Sequence, residues 1–178
     1  MQRTNWWKYL LVVLVAGAAS VLFMGIKTYK DAPPKPDYVS SSGEEVFMLD
    51  SIERGQLVFQ KYALMEYGSM FGDGAARGPD FTAESLHQIA IQMNDYYGRQ
   101  ITNGRSAELT QIEKDGISAR VKRELKTNYH DRERGIVVLT EGQVYAAERL
   151  VEYYRLKFKG DHRESFKPAG YITDDSEL

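Results

Sequence analysis

From Tyr9 to Ile26 the chain reads YLLVVLVAGAASVLFMGI, eighteen residues without a charge, with Trp6, Trp7 and Lys8 before it and Lys27, Tyr29 and Lys30 after it. That length suits one membrane-crossing helix, and the aromatic and basic flanks are the anchors such a helix carries at its interfaces. A cleaved signal peptide is the competing reading, because Ala16-Gly17-Ala18-Ala19 resembles a small-residue cleavage site. Against it, the apolar run continues through Val21, Leu22, Phe23, Met24 and Ile26, where a mature secreted chain turns polar. Basic residues on both sides of the span leave its orientation open. Residues 1–30 are therefore read as an anchor.

The pattern then changes. Pro33, Pro34, Pro36 and Ser40-Ser41-Ser42 mark residues 31–45 as an extended polar linker. Beyond it, helical spacing dominates. Asp50 or Ser51 is placed to cap a helix reaching about Met65, with Ile52, Leu57, Val58, Ala63 and Leu64 as its imperfect apolar face. Asp80 or Thr82 is placed to cap a second, through about Arg99, carrying Leu86, Ile89, Ala90 and Met93. Thr110-Gln111-Ile112-Glu113 has the form of a capping box and opens a third with Ile112, Ile117, Val121 and Leu125. Ile136-Val137-Val138-Leu139 is β-prone but too brief to promise a sheet. Thr140-Glu141-Gly142-Gln143 starts a last helix with Val144, Ala147, Leu150, Val151 and Tyr154 that fades near Gly160. Residues 46–160 thus form a small helical domain and 161–178 a polar tail.

Composition narrows the chemistry. With 23 Lys+Arg against 25 Asp+Glu, the net charge of −2 gives no basic footprint for nucleic acid. Cysteine is absent, which excludes disulfides, thiolate nucleophiles, zinc–thiolate sites and covalent c-type haem together. The three histidines, His87, His130 and His162, have no metal-ligand spacing. Between Leu64 and Phe81 runs LMEYGSMFGDGAARGPDF. Asp73 and Asp80 flank its glycines, yet the calcium-loop pattern is missing, and Gly72-Asp73-Gly74 alone makes no dinucleotide loop. Tyr62, Tyr67, Tyr96 and Tyr97 read as core or interface aromatics.

The stretch Gly55 to Ser69, continued by Gly72-Asp73-Gly74-Ala75 and Gly78-Pro79-Asp80-Phe81-Thr82-Ala83-Glu84, resembles the N-terminal region of quinol-dependent nitric oxide reductases. Val138-Leu139-Thr140, Gln143-Val144-Tyr145 and Tyr153-Tyr154 follow in that family's order. The resemblance implies a mainly α chain: one transmembrane helix and a small cytochrome-c-like helical domain without haem, on the periplasmic or extracytoplasmic side. It further implies a catalytic membrane bundle, in the same polypeptide or a separate subunit, holding haem b, haem b3 and non-haem iron and oxidising quinol. On the register of cytochrome-c-dependent relatives, Leu64 and Tyr67 stand where haem-attaching cysteines would be and Gly68 where the axial histidine would be. Leu64 and Tyr67 are then expected to fill the vacated pocket. Gly74 and Ala76 would offer backbone carbonyls to calcium, although Asp73 and Ala76 depart from the His and Tyr common in the family. A nitric-oxide-dismutase-like homologue and an independent membrane-tethered binding or scaffold module stay open as alternatives.

Overall fold

The computed structural model describes residues 6–31, 34–72, 78–103, 108–159, 172–174 and 176–178. It divides into two compact units, residues 1–35 and 36–178. Helix α1, Trp6–Lys30, is long and apolar enough to cross a membrane. Its 25 residues span about 37 Å at 1.5 Å per residue, more than the roughly 30 Å of a hydrocarbon core. Within it, Ser20 Oγ donates to the Ala16 carbonyl at 2.8 Å, so its hydroxyl is satisfied by its own helix.

The second unit is mostly helical but not wholly so. Strands β1 (Asp37–Ser40) and β2 (Glu45–Phe47) precede helices α2 (Leu49–Lys61), α3 (Phe81–Thr102) and α4 (Gln111–Lys126). Strands β3 (His130–Asp131) and β4 (Ile136–Leu139) and helix α5 (Glu141–Lys159) complete it. The strands make one sheet in the order β2-β1-β4-β3. β1 runs parallel to β4, with Asp37 opposite Ile136 and Ser40 opposite Leu139, while the two outer pairs are antiparallel.

Two expectations are corrected here. The segment read as a linker supplies β1 and β2, and its serines make the turn between them: Ser40 Oγ accepts from the Glu44 N–H at 2.9 Å and lies 2.7 Å from Ser42 Oγ. The run Ile136–Leu139, judged too short for a sheet, is an inner strand because β1 arrives from about 100 residues earlier to pair with it. Tyr38, Phe47 and Leu139 share an apolar cavity of about 440 Å³ with Ile89, Leu125, Ala147 and Leu150, so one face of the sheet looks onto the helices.

The helix ends follow local chemistry. Asp80 caps α3, accepting from the Ala83 N–H at 2.9 Å. Thr110 and Glu113 form the reciprocal capping box of α4, and Thr140 with Gln143 does the same for α5. α2 differs from expectation. It begins at Leu49, so Asp50 and Ser51 lie inside its first turn, and the Leu49 N–H finds Asp37 Oδ1 of β1 at 2.7 Å. At its other end it stops at Lys61, four residues short of Met65.

Met93, Tyr97, Ile117, Val121 and Ala146 form the principal core, where α3 meets α4 and α5. At its edge the Glu124 carboxylate accepts from Tyr97 Oη (2.7 Å), Thr140 Oγ1 (2.8 Å) and Arg120 Nε (2.9 Å). The Arg120 guanidinium also lies 3.8 Å over the Tyr97 ring. Burial pushes the Glu124 carboxyl up, but the bonds from Arg120, Tyr97 and Thr140 outweigh it and hold the group below the usual carboxylate range. Ile112, expected on the buried face of α4, stands in solvent. It occupies the helix's first turn, ahead of Ile117 and Val121, which carry the contact.

Candidate functional site

The glycine-rich stretch after α2 is where sequence reasoning places its candidate residues. α2 ends at Lys61, Ala63 takes a left-handed conformation, and Leu64–Glu66 make a single 3-10 turn. Leu64, 2% exposed, packs in a cluster with Ile172, Val58, Phe59, Tyr62, Tyr67, Phe158 and Leu178. Tyr67 is half-buried in the same cluster. Gly68 is buried against Phe81: a Cβ there would stand 2.3 Å from the ring. Leu64 and Tyr67 thus share one apolar cluster, and Gly68 lies against the Phe81 ring.

Phe81 anchors an aromatic array. Its ring meets Phe59 and Phe158 edge-on, each at 5.9 Å, and Tyr154 at 6.3 Å, and Tyr154 stacks on Phe158 at 5.7 Å. These residues come from α2, α3 and α5, so the array joins three helices at the point where the glycine segment enters α3.

The segment's two ends are clasped. The Ser69 N–H donates to the Pro79 carbonyl at 3.0 Å and the Phe81 N–H returns to the Ser69 carbonyl at 2.8 Å. Gly78, at φ +89°, lies against this clasp, and a Cβ there would stand 1.7 Å from the Tyr67 carbonyl oxygen. Asp80 accepts from the N–H groups of Ala83 and Gly72 and from Ser69 Oγ. Those bonds, the one from Ala83 foremost, hold its carboxyl below the usual range. Phe71, at φ +57°, is a non-glycine residue in the left-handed region, and its N–H donates to Thr82 Oγ1 at 3.0 Å.

Gly74 and Ala76, the calcium donors implied by resemblance, lie outside the described residues, as do Asp73 and His162. His87 is exposed on α3 and His130 lies half-buried in β3. Among the described residues no group of three or more His, Cys, Asp or Glu side chains could hold a metal.

One cluster escaped the sequence reading. Lys157 of α5, whose side chain is 4% exposed, forms an ion pair with Glu84 in the first turn of α3. Tyr153 Oη donates to Glu84 Oε1 at 2.8 Å, and Lys157 Nζ lies 3.2 Å from Tyr153 Oη. Tyr154 Oη lies 2.8 Å from Ser85 Oγ and donates to the Phe81 carbonyl at 3.2 Å. Burial foremost, with the neighbouring Glu84 behind it, pushes the Tyr154 phenol up to about 12, against a lowering by Ser85 that is smaller than the effect of burial. The ion pair joins residues 73 apart. A lysine three positions after an apolar-face tyrosine was its one trace in the sequence.

The site therefore has a packed aromatic centre, a buried ion pair behind it and a clasped loop in front. No thiol or imidazole among the described residues faces that centre, so the side chains present do not fit a covalently attached, histidine-ligated haem. No curated protein matches the chain. The family model for the cytochrome c-like domain of the NorB subunit of nitric oxide reductase matches residues 35–178, which is the whole sheet-and-helix unit, and the chain belongs to that family.

Proposed function

We propose that the chain is the membrane anchor and extramembrane structural domain of a quinol-dependent nitric oxide reductase, and that this domain carries no haem. In the complete enzyme 2 NO, two electrons and two protons give N2O and water. The reaction belongs to a membrane bundle with haem b, haem b3 and non-haem iron, outside these 178 residues. The observation that carries the reading is the occupancy of the haem-attachment register: Leu64 is buried, Tyr67 packs beside it, and Gly68 admits the Phe81 ring. These side chains hold the positions that attachment would use, and the chain has no cysteine to anchor a haem covalently. In this reading the domain does not relay electrons from a soluble donor, and membrane quinol is the electron source that the resemblance implies.

The domain's role is then mechanical. Its clasped glycine segment is a docking surface for the bundle, and carbonyls of Gly74 and Ala76 hold calcium at that junction. Backbone oxygens are good calcium ligands, so loop shape matters more there than side-chain type.

The test is extraction of the tagged chain in mild detergent from cells making the whole enzyme. It should bring down a haem-containing membrane protein that consumes nitric oxide with quinol and not with reduced cytochrome c. Failure to bring down any such protein favours the independent scaffold instead. The chain purified alone should show no Soret band; one at stoichiometric intensity overturns the haem-free assignment. Calcium titration of the complex, followed by calorimetry, tests the metal.

A further inference from the structure

Where α3 runs beside the second half of α4, the charges are all of one sign. From Ser85 to Asn94, α3 carries no carboxylate. From Gly116 to Lys126, α4 carries one, Glu124, against Arg120, Lys122, Arg123 and Lys126. Glu124 is buried and already holds Arg120, Tyr97 and Thr140. Lys122 and Lys126 are exposed, and among the described residues no ion pair occupies either. Asp115, the α4 carboxylate on their side of the helix, stands seven positions before Lys122, about 10 Å along the axis, and accepts from Gln111 Nε2 at 2.8 Å.

These two lysines rim a groove of about 360 Å³ between the helices, whose apolar walls are Leu86, Ala90, Val121 and Leu125. Leu86 is 55% exposed, and Ile91, three positions before Asn94 of the same wall, is 44% exposed. Lysine stems lie along apolar surface of this kind while their ammonium groups reach outward. Exposed apolar side chains set among lysines, opposite a stretch of α3 without carboxylates, match an anionic bilayer surface: headgroups attract the ammonium groups and the acyl boundary takes the apolar side chains. An acidic protein face would satisfy the same lysines. A bilayer, however, is the neighbour that α1 supplies, and covalent attachment to α1 presents its headgroups to the sheet-and-helix unit at high effective concentration.

We infer that the α3–α4 groove is a docking face for anionic phospholipid, with Lys122 and Lys126 on headgroup phosphates and Leu86 and Ile91 at the acyl boundary. This rests on α1 crossing a bilayer, as proposed above.

The chain has no cysteine, so Ile91→Cys and Ile112→Cys each offer a single thiol for a fluorescent label. Ile112, 85% exposed in the first turn of α4, is the control. Each labelled full-length chain is inserted into phosphatidylcholine nanodiscs carrying a lipid-attached quencher, with or without phosphatidylglycerol. The label at position 91 should be quenched when phosphatidylglycerol is present, and the label at position 112 should keep its intensity. Each lysine shifts the docked-to-undocked ratio about fivefold, so Lys122→Gln together with Lys126→Gln should lower that ratio about thirtyfold. Raised salt should release the unmodified face. Quenching at position 91 that is no stronger than at 112, or that ignores phosphatidylglycerol or the double substitution, overturns the lipid contact and leaves α1 an anchor. A chain that does not enter the discs overturns the anchor and the contact together. Release by inorganic phosphate at constant ionic strength overturns the bilayer in favour of a small anion. Shielding of position 91 that appears only when the catalytic bundle is added overturns it in favour of a protein.

Discussion

The Lys157–Glu84 pair offers a sharp test of what holds α3 against α5. The side chains are 4% and 16% exposed, so each charge has little water to fall back on. Replacing Glu84 by Leu removes the ion pair and the acceptor of Tyr153 Oη, and leaves an ammonium in the interior. Breaking a buried pair in that way costs about 3–5 kcal/mol. Lys157→Met strands the carboxylate instead, but Glu84 has more access to water and keeps Tyr153 as a donor, so the loss should be nearer about 2 kcal/mol. Removing both charges still takes the Glu84 acceptor from the Tyr153 hydroxyl, a loss of roughly 1–2 kcal/mol. The double variant should therefore be more stable than Glu84→Leu alone, with a coupling energy of about 3 kcal/mol or more. Against a whole-domain stability of about 5–15 kcal/mol these differences are large. Urea unfolding of the full chain in detergent, followed by near-ultraviolet dichroism of tyrosine, reads them. Trp6, Trp7, Tyr9 and Tyr29 belong to the anchor helix, and the other ten of the 12 tyrosines lie beyond residue 35 and report on the domain. If the double variant loses the sum of the two single losses, the ion-pair reasoning is wrong.

Four other outcomes are expected. Alkaline titration at the tyrosinate absorption band should find one phenol resisting ionisation to about 12, absent in Tyr154→Phe. Because the folded value is raised above the ordinary 10.0, its contribution is whole below pH 10.0 and is lost as pH climbs toward about 12, so stability should fall across that window. Glu124 has the opposite sign. Its folded value is depressed, so its contribution is present above the ordinary 4.5 and lost as pH falls below it; acid unfolding of Glu124→Gln should be less steep, and an unchanged slope would count against the network. Gly78→Ala meets both a left-handed backbone and a carbonyl at 1.7 Å, and should destabilise the domain by more than the roughly 1–2 kcal/mol of left-handed strain alone, read as a lowered urea midpoint. Thr110→Ala should cost about 1 kcal/mol in the same assay, the ordinary worth of a side-chain cap.

What could be read in the sequence was local. The apolar run of α1 and the caps at Asp80, Thr110 and Thr140 depend on residues within a few positions of one another, and the structure has them where expected. The sheet was hidden because β4 is only four residues long and β1 lies inside a proline- and serine-rich stretch. Pairing with distant or neighbouring strands, rather than local sequence, makes each a strand. Asp37 capping α2 was hidden for the same reason: the acceptor is 12 residues from the N–H it serves. At the candidate site, Leu64 and Gly68 were found from register with a family, while Phe81, Tyr154 and Phe158 define their surroundings only after α2, α3 and α5 converge. Ion pairing between Glu84 and Lys157 has no periodic signature, since each looks alone like an ordinary charge near a helix terminus.

The parallel pairing of β1 with β4 also sets an order of events during synthesis. β1 is made soon after α1, yet its inner neighbour follows about 100 residues later. At about 5–20 residues per second, β1 and β2 wait some 5–20 s with Tyr38, Val39 and Phe47 uncovered. Final folding is thus post-helical: α2, α3 and α4 have all emerged before the sheet can close, and the closure entropy of a long loop falls on the last step. A chain stalled before residue 136 would carry α2, α3 and α4 but not the completed sheet. Such a product is a natural substrate for chaperones or proteases rather than a smaller working domain.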